Sequence, residues 1–137
     1  MNISIVIPAH NEQDYIAKCL SSIDEQLMPH DISVEVIVVL NRCTDKTVQI
    51  AKAYGAIVVE EDAKNLSTIK NTGVHYASAE WVVVIDADSW MSTGVLAEIC
   101  HHAQSPQCVG GGIRIKPERW SLGIAIGYAM LLFHRSP

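Results

Sequence analysis

Short apolar runs alternate along the chain with stretches whose apolar residues recur every three or four positions. A run of β-branched residues suits a strand covered on both faces of a parallel sheet, whereas the longer recurrence gives one helical stripe to lay on such a sheet. Residues 3–7 predict the first strand, closed by Pro8, and Ile16, Cys19, Leu20, Ile23 and Leu27 predict the helix after it, with Asn11 as its cap and Pro29 as its end. Residues 34–40 form the second apolar run. A polar turn over 41–45 then leads to a helix marked by Val48, Ala51 and Tyr54, and Gly55 stands at its C′ position. A third strand at 56–59 and a polar stretch at 60–65 precede a helix over 67–77, carried by Ile69, Gly73, Tyr76 and Ala77. The fourth strand, 82–85, ends on Asp86-Ala87-Asp88. Ser92 is the expected cap of a fourth helix whose buried face is Val95, Leu96, Ile99, Cys100 and Ala103, and Ser105-Pro106 ends it. A fifth strand over 109–115 is interrupted by Gly110, Gly111 and Gly112, which make either a bulge or part of a pocket wall.

Strands alternating with helices imply parallel pairing through right-handed crossovers, hence one α/β domain over residues 1–137 with a doubly wound, mostly parallel sheet. The turns at 8–12, 41–45, 60–62 and 86–89 all follow strand carboxyl ends, where open α/β sheets bind ligands. Asp86 and Asp88 share a side in the period-two pattern of an extended chain. Two such carboxylates repel, and a hard cation, Mg²⁺ or Mn²⁺, relieves the repulsion while bridging to phosphate oxygens. The alternative is a loop or helix-capping device. Neither GxGxxG nor GxxxxGK[ST] occurs, so a dinucleotide fold and a P-loop are not indicated.

Composition narrows the partners. The net charge is −5 with no Lys/Arg cluster, which argues against nucleic acid. Hydrophobic residues make up 49% and charged residues 18%, a globular balance. Four cysteines without a CxxC pair, and a chain that opens directly into a strand with no basic leader, predict a reducing, cytoplasmic setting. Cys100-His101-His102 with Cys108 fits no common zinc spacing. Residues 120–133 are almost wholly apolar but shorter than the roughly 20 residues a membrane span needs. They read as a core helix, a homodimer contact through Gly123 and Gly127, or a peripheral contact at the inner face of the membrane.

Four separated motifs together resemble glycosyltransferase family 2, the nucleotide-binding half of a GT-A fold. Ser4-Ile-Val-Ile-Pro-Ala-His-Asn-Glu12 is similar to that family's opening strand and Pro-x-x-Asn-Glu turn. Thr44-Asp45-Lys46-Thr47 is similar to its Ser/Thr-Asp-x-Thr, Lys70-Asn71-Thr72-Gly73 to its Arg-Asn-x-Gly, and Val84-Ile-Asp-Ala-Asp-Ser89 to its strand ending in Asp-x-Asp. The resemblance implies inverting transfer of a sugar from a nucleotide-diphosphate sugar donor to a hydroxyl acceptor. It implies that Pro8, Ala9 and Glu12 line the nucleoside pocket, that Asp86 approaches the ribose or the metal, and that Asp88 ligates Mg²⁺ or Mn²⁺. Lys70 either adds positive charge at the diphosphate or is a solvated helix lysine.

The chain departs from that pattern in three places. Leu40 and Asn41 stand where many members carry an acidic residue for the base, leaving the polar role to Asn41 or Asp45. Lys70 replaces an arginine and so loses a planar grip on phosphate. Finally, the resemblance implies that the chain stops short of the acceptor half and its catalytic carboxylate. After Asp88 the only acidic side chains are Glu98 and Glu118, and no catalytic residue is assigned. A nucleotide-sugar-binding module or inactive fragment is therefore a competing expectation. A nucleotidyltransferase is a further one, though the first turn lacks the glycine-rich, basic loop it would need.

Overall fold

The computed structural model describes residues 1–27, 32–113 and 116–118. The expectations for Pro29 and for 120–133 lie outside them. The elements are β1 (Asn2–Ala9), α1 (Ile16–Asp24), β2 (Ser33–Leu40), α2 (Thr47–Ala53), β3 (Ile57–Glu60), α3 (Leu66–Tyr76), β4 (Trp81–Val84) and α4 (Val95–Ala103). The strands form one sheet in the order β3-β2-β1-β4, and every pair is parallel. Strand order reverses between β2–β3 on one side of β1 and β4 on the other, so β1 and β4 flank the switch point where such sheets bind ligands.

Helices cover both faces, which explains why β1 is apolar on both sides. On one face Ile3, Ile5 and Ile7 pack with Ile16, Cys19, Leu20 and Ile23 of α1, Ala51 of α2, and Leu96 and Cys100 of α4. On the other, Val6, Ile37, Val39 and Val59 pack with Ile69 of α3. At Gly73 any Cβ would overlap Val6 and come within 2.8 Å of Val39 Cγ2. That glycine lets α3 lie flat on the sheet. The polar member of β1, Ser4, is fully buried. Its hydroxyl donates to Glu35 Oε1 at 2.5 Å and accepts from Ala79 N at 3.0 Å, tying β1, β2 and the entry to β4 together. This bond, with those from Ser78, holds the Glu35 carboxyl below its ordinary range.

Several expected boundaries are corrected. Asn11 does not cap α1: its φ is 53° and its Oδ1 accepts from Thr44 N at 2.7 Å, while Tyr15 precedes the helix. Leu27 lies beyond α1 and is exposed. Gly94, at φ 86°, precedes α4, and Ser92 supplies a carbonyl rather than a side-chain cap. Gln26, two residues past the end of α1, does that work, accepting from Leu96 N at 3.3 Å and donating to Ser92 O at 3.2 Å. α3 starts one residue earlier than expected because Asn65 Oδ1 takes the Ser67 amide at 2.8 Å. Gly55, at φ 74°, ends α2 as the spacing predicted. Residues 109–113 form no strand, and Val109 is 97% exposed. Three glycines offer no side chain to pack against a ladder and lose more entropy on ordering than other residues, which outweighs the apolar neighbours.

Candidate functional site

The carboxyl edge of the sheet is a hydrogen-bonded platform. The turn after β1 is stitched to the turn after β2 at every step: Asn41 N donates to Ala9 O (2.8 Å), His10 Nδ1 meets Asn41 O (2.5 Å), Glu12 N donates to Thr47 Oγ1 (2.8 Å) and Gln13 N donates to Asp45 Oδ2 (3.0 Å). Asp45 Oδ1 in turn accepts from Thr47 N and Thr47 Oγ1 at 3.0 and 2.6 Å. Desolvation pulls the Asp45 carboxyl upward, but the bonds from Thr47 and Gln13 together outweigh it and leave the group below its ordinary range. Of the predicted residues, Pro8 and Ala9 are buried at the end of β1, and Glu12 is half-buried just beyond.

Asn41 joins a third turn to these two. It is 3% exposed, and its Nδ2 donates to Glu61 O at 2.5 Å and Ala63 O at 2.8 Å, while its Oδ1 accepts from Arg42 Nε and Nη2 at 3.2 and 3.1 Å. Glu61 then accepts from Ala63 N (3.0 Å) and Thr72 Oγ1 (2.8 Å), and the Thr72 bond above all holds its carboxyl below the ordinary range. Both Asn41 and Asp45 are thus committed to internal bonds.

At the end of β4 the ladder continues one step, Ile85 N to Val6 O at 3.1 Å, before the chain turns. Asp86 and Asp88 are exposed and Ala87 between them is buried, but β4 ends at Val84 and Ser89 N donates to Asp86 O at 3.0 Å, so the pair lies on a turn and not on an extended strand. Lys70 of α3 pairs with Asp86 at 3.1 Å. Among the described residues, Asp88 receives a single long bond, from Ser89 Oγ at 3.4 Å. Beneath the turn, Cys19 Sγ lies 3.9 Å from Asp86 O. Beside it, Lys18 Nζ sits 3.4 Å above the Trp90 ring and 3.1 Å from Glu118 Oε1. Burial first, then the charges of Asp88 and Asp45, raise the Glu12 carboxyl above its ordinary range, against a smaller opposing effect of His10. The ends of β1, β2 and β4 therefore share a negative potential.

Among the described residues no three metal-ligating side chains converge. Mg²⁺ and Mn²⁺ sites that serve a phosphate ligand use one or two carboxylates and take the remaining positions from phosphate and water. Asp88 and Asp86 fit that kind of site. A shallow depression of about 540 Å³ lies at the opposite edge, lined by Met1, Ser78, Trp81 and Pro106 among others, away from these carboxylates. The carboxyl edge is the better candidate because the charged groups and the switch point coincide there. His10 and Thr47 fall inside the turn motifs but were given no role from sequence, and Arg42 and Glu61 were not singled out. Only their nearness to the turn motifs could have marked them.

Comparison with known proteins agrees with this architecture. Residues 4–129 match the family model described as Glycosyl transferase family 2. A poly(ribitol-phosphate) beta-glucosyltransferase of Bacillus spizizenii is 33% identical over 103 residues, covering 70% of this chain and 16% of that protein. S. aureus TarS 1-349 in complex with UDP superposes with a TM-score of 0.66 at 25% identity, covering 84% of this chain and 38% of the other. The mannosyltransferase PcManGT from Pyrobaculum calidifontis, in complex with GDP-Man and Mn²⁺, superposes with a TM-score of 0.68 at 29% identity, covering 76% and 32%. The chain spans well under half the length of each.

Proposed function

Because the chain belongs to glycosyl transferase family 2, we propose that it is the donor-binding portion of a metal-dependent, inverting enzyme that moves a sugar from a nucleotide-diphosphate sugar to a hydroxyl acceptor. The observation that carries this reading is the Asp86-Ala87-Asp88 turn: two exposed carboxylates flanking a buried alanine, at the switch point of a parallel sheet. A divalent cation bound there would offset the negative charge that grows on a departing diphosphate. Asp88, bonded by the described residues only through Ser89, is free to hold it. Asp86 shares its charge with Lys70, and Lys70 can exchange that carboxylate for a diphosphate oxygen without moving its helix. The stitched turns after β1 and β2 keep the nucleoside wall rigid before any ligand arrives, which lowers the ordering cost of binding. Support from relatives is chemical as well as structural, since PcManGT holds GDP-Man with Mn²⁺.

A second reading, a nucleotide-sugar-binding module, is favoured by the later acidic residues. Glu98 is 4.0 Å from His102 on the exposed side of α4, and Glu118 is tied to Lys18. Neither is positioned as a base toward an acceptor hydroxyl. Calorimetric titration with UDP and GDP, with Mn²⁺ and then EDTA, tests the donor site common to both readings. Metal-dependent binding is expected, with Asp88→Ala weakening it at least tenfold. Binding that is indifferent to EDTA and to Asp88→Ala would overturn it.

A further inference from the structure

The end of β2 carries an arginine whose setting is not explained by packing. Arg42 has φ 49°, the left-handed region that side chains other than glycine seldom adopt. Its guanidinium is nevertheless fixed, because Nε and Nη2 both donate to Asn41 Oδ1. That oxygen cannot drift, since the same amide is 3% exposed and holds the Glu61 and Ala63 carbonyls through its nitrogen. Two of the five guanidinium N–H groups are used in this way, and among the described residues the remaining three have no partner.

Resting on the donor-site reading above, we propose that Arg42 selects the donor's base, and that the base it selects is guanine. Sheet order sets the distance. β2 and β4 flank β1, so their ends lie about two strand spacings apart, roughly 9–10 Å. A diphosphate held at Asp88 on β4 thus extends its nucleoside across β1 toward the end of β2. Hydrogen-bond chemistry sets the identity. A guanidinium fork matches two neighbouring acceptors, and guanine presents O6 and N7 side by side. Adenine places an N6 donor where O6 would be. Uracil alternates acceptor, donor and acceptor along its edge, and its N3–H calls for an acceptor. At the end of β2 the Asn41 oxygen already accepts two bonds.

The test is titration of the full chain with GDP, UDP and 7-deaza-GDP in Mn²⁺, comparing wild type, Arg42→Ala, Arg42→Lys and Asp88→Ala, with circular dichroism to verify folding. GDP is expected to bind at least tenfold tighter than UDP. One bidentate contact is worth about 1–3 kcal/mol, so Arg42→Ala should weaken GDP by roughly five- to 150-fold, leave UDP unchanged, and not be rescued by lysine. 7-Deaza-GDP, lacking the N7 acceptor, should lose much of the preference in wild type and none further in Arg42→Ala. UDP binding as tightly as GDP, abolished by Asp88→Ala but untouched by Arg42→Ala, would remove this inference and leave the donor site standing. Equal loss of both nucleotides in Arg42→Ala would reduce Arg42 to a general charge and also overturn it. Silence of every nucleotide with the folded wild-type chain would remove both proposals together.

Discussion

Cys19 shows how one side chain reports on the site above it. Burial foremost, and then the charges of Asp88 and Asp86, push its thiol up to about 12. Thiolate is the reactive species, so Cys19 in the folded protein is expected to resist iodoacetamide at pH 8, while half-buried Cys43 and Cys108 are modified. Peptide mapping with and without urea checks this, and rapid labelling of native Cys19 would contradict the placement of α1 under the Asp-x-Asp turn. Asn41 makes the complementary point. Read as sequence it is a polar residue at a ligand-facing turn; in the fold its amide bonds two backbone carbonyls of the neighbouring loop. Asn41→Ala leaves those carbonyls without their donor and is expected to cost about 1–3 kcal/mol in urea unfolding. Arg42→Ala, at an exposed position, should cost far less. The pair of variants therefore separates the scaffold of the turn from its contact surface.

Among the elements, α3 depends on a single missing side chain. Gly73→Ala would drive a methyl group into Val6 and Val39. Overpacking of this kind typically costs about 1–3 kcal/mol, and because α3 also carries Lys70, the variant should weaken diphosphate binding along with stability. A melt and a GDP titration on the same sample measure both. The Lys-Asn-Thr-Gly motif thus joins a ligand-side charge to a sheet-side gap, one helical turn apart. All eight elements were legible in the chain, since β-branched runs and three-to-four spacing report burial directly. Their ends were less so. Asn11, Ser92 and Leu27 followed local rules for caps and stripes, but the real partners are distant in sequence: Asn11 bonds Thr44, and Gln26 serves the start of α4. The same holds at the site. Asp86 and Asp88 could be found as the carboxylates that end an apolar run, whereas the ties among His10, Asn41, Arg42 and Glu61 exist only once three turns are brought to one edge.

For the molecule as a whole, the shifted carboxylates divide into two groups with opposite pH consequences. Glu35, Asp45 and Glu61 are held below their ordinary values of 4.5, 3.8 and 4.5. Their contribution to stability is fully present above those values and is lost as pH falls through the depressed ones. Glu12 is raised above 4.5, so its effect has the other sign: the folded state is favoured below that value and loses ground as pH rises through the raised one. Melting temperature is therefore expected to fall steeply below about pH 4. Glu12→Gln should raise it by a few degrees at pH 7 without metal and leave it unchanged at pH 4. Scanning calorimetry across pH 3–8 reads both effects, and a Glu12→Gln gain that persists at pH 4 would show that burial of its charge beside Asp88 and Asp45 is not the cause.

The position of β1 between β2 and β4 also bears on how the protein is made. In chain order β1 precedes both of its partners: one partner strand is a full helix further along, and the other emerges only after two more crossovers. Until Trp81–Val84 is synthesised, the most deeply buried strand of the sheet has one open edge and an incomplete cover, since α4 follows later still. Non-local parallel pairing of this kind closes slowly. A nascent chain arrested before β4 is thus expected to engage holdase chaperones, and one arrested after α4 to be released from them. The strand that precedes both of its partners is among the last to be finished.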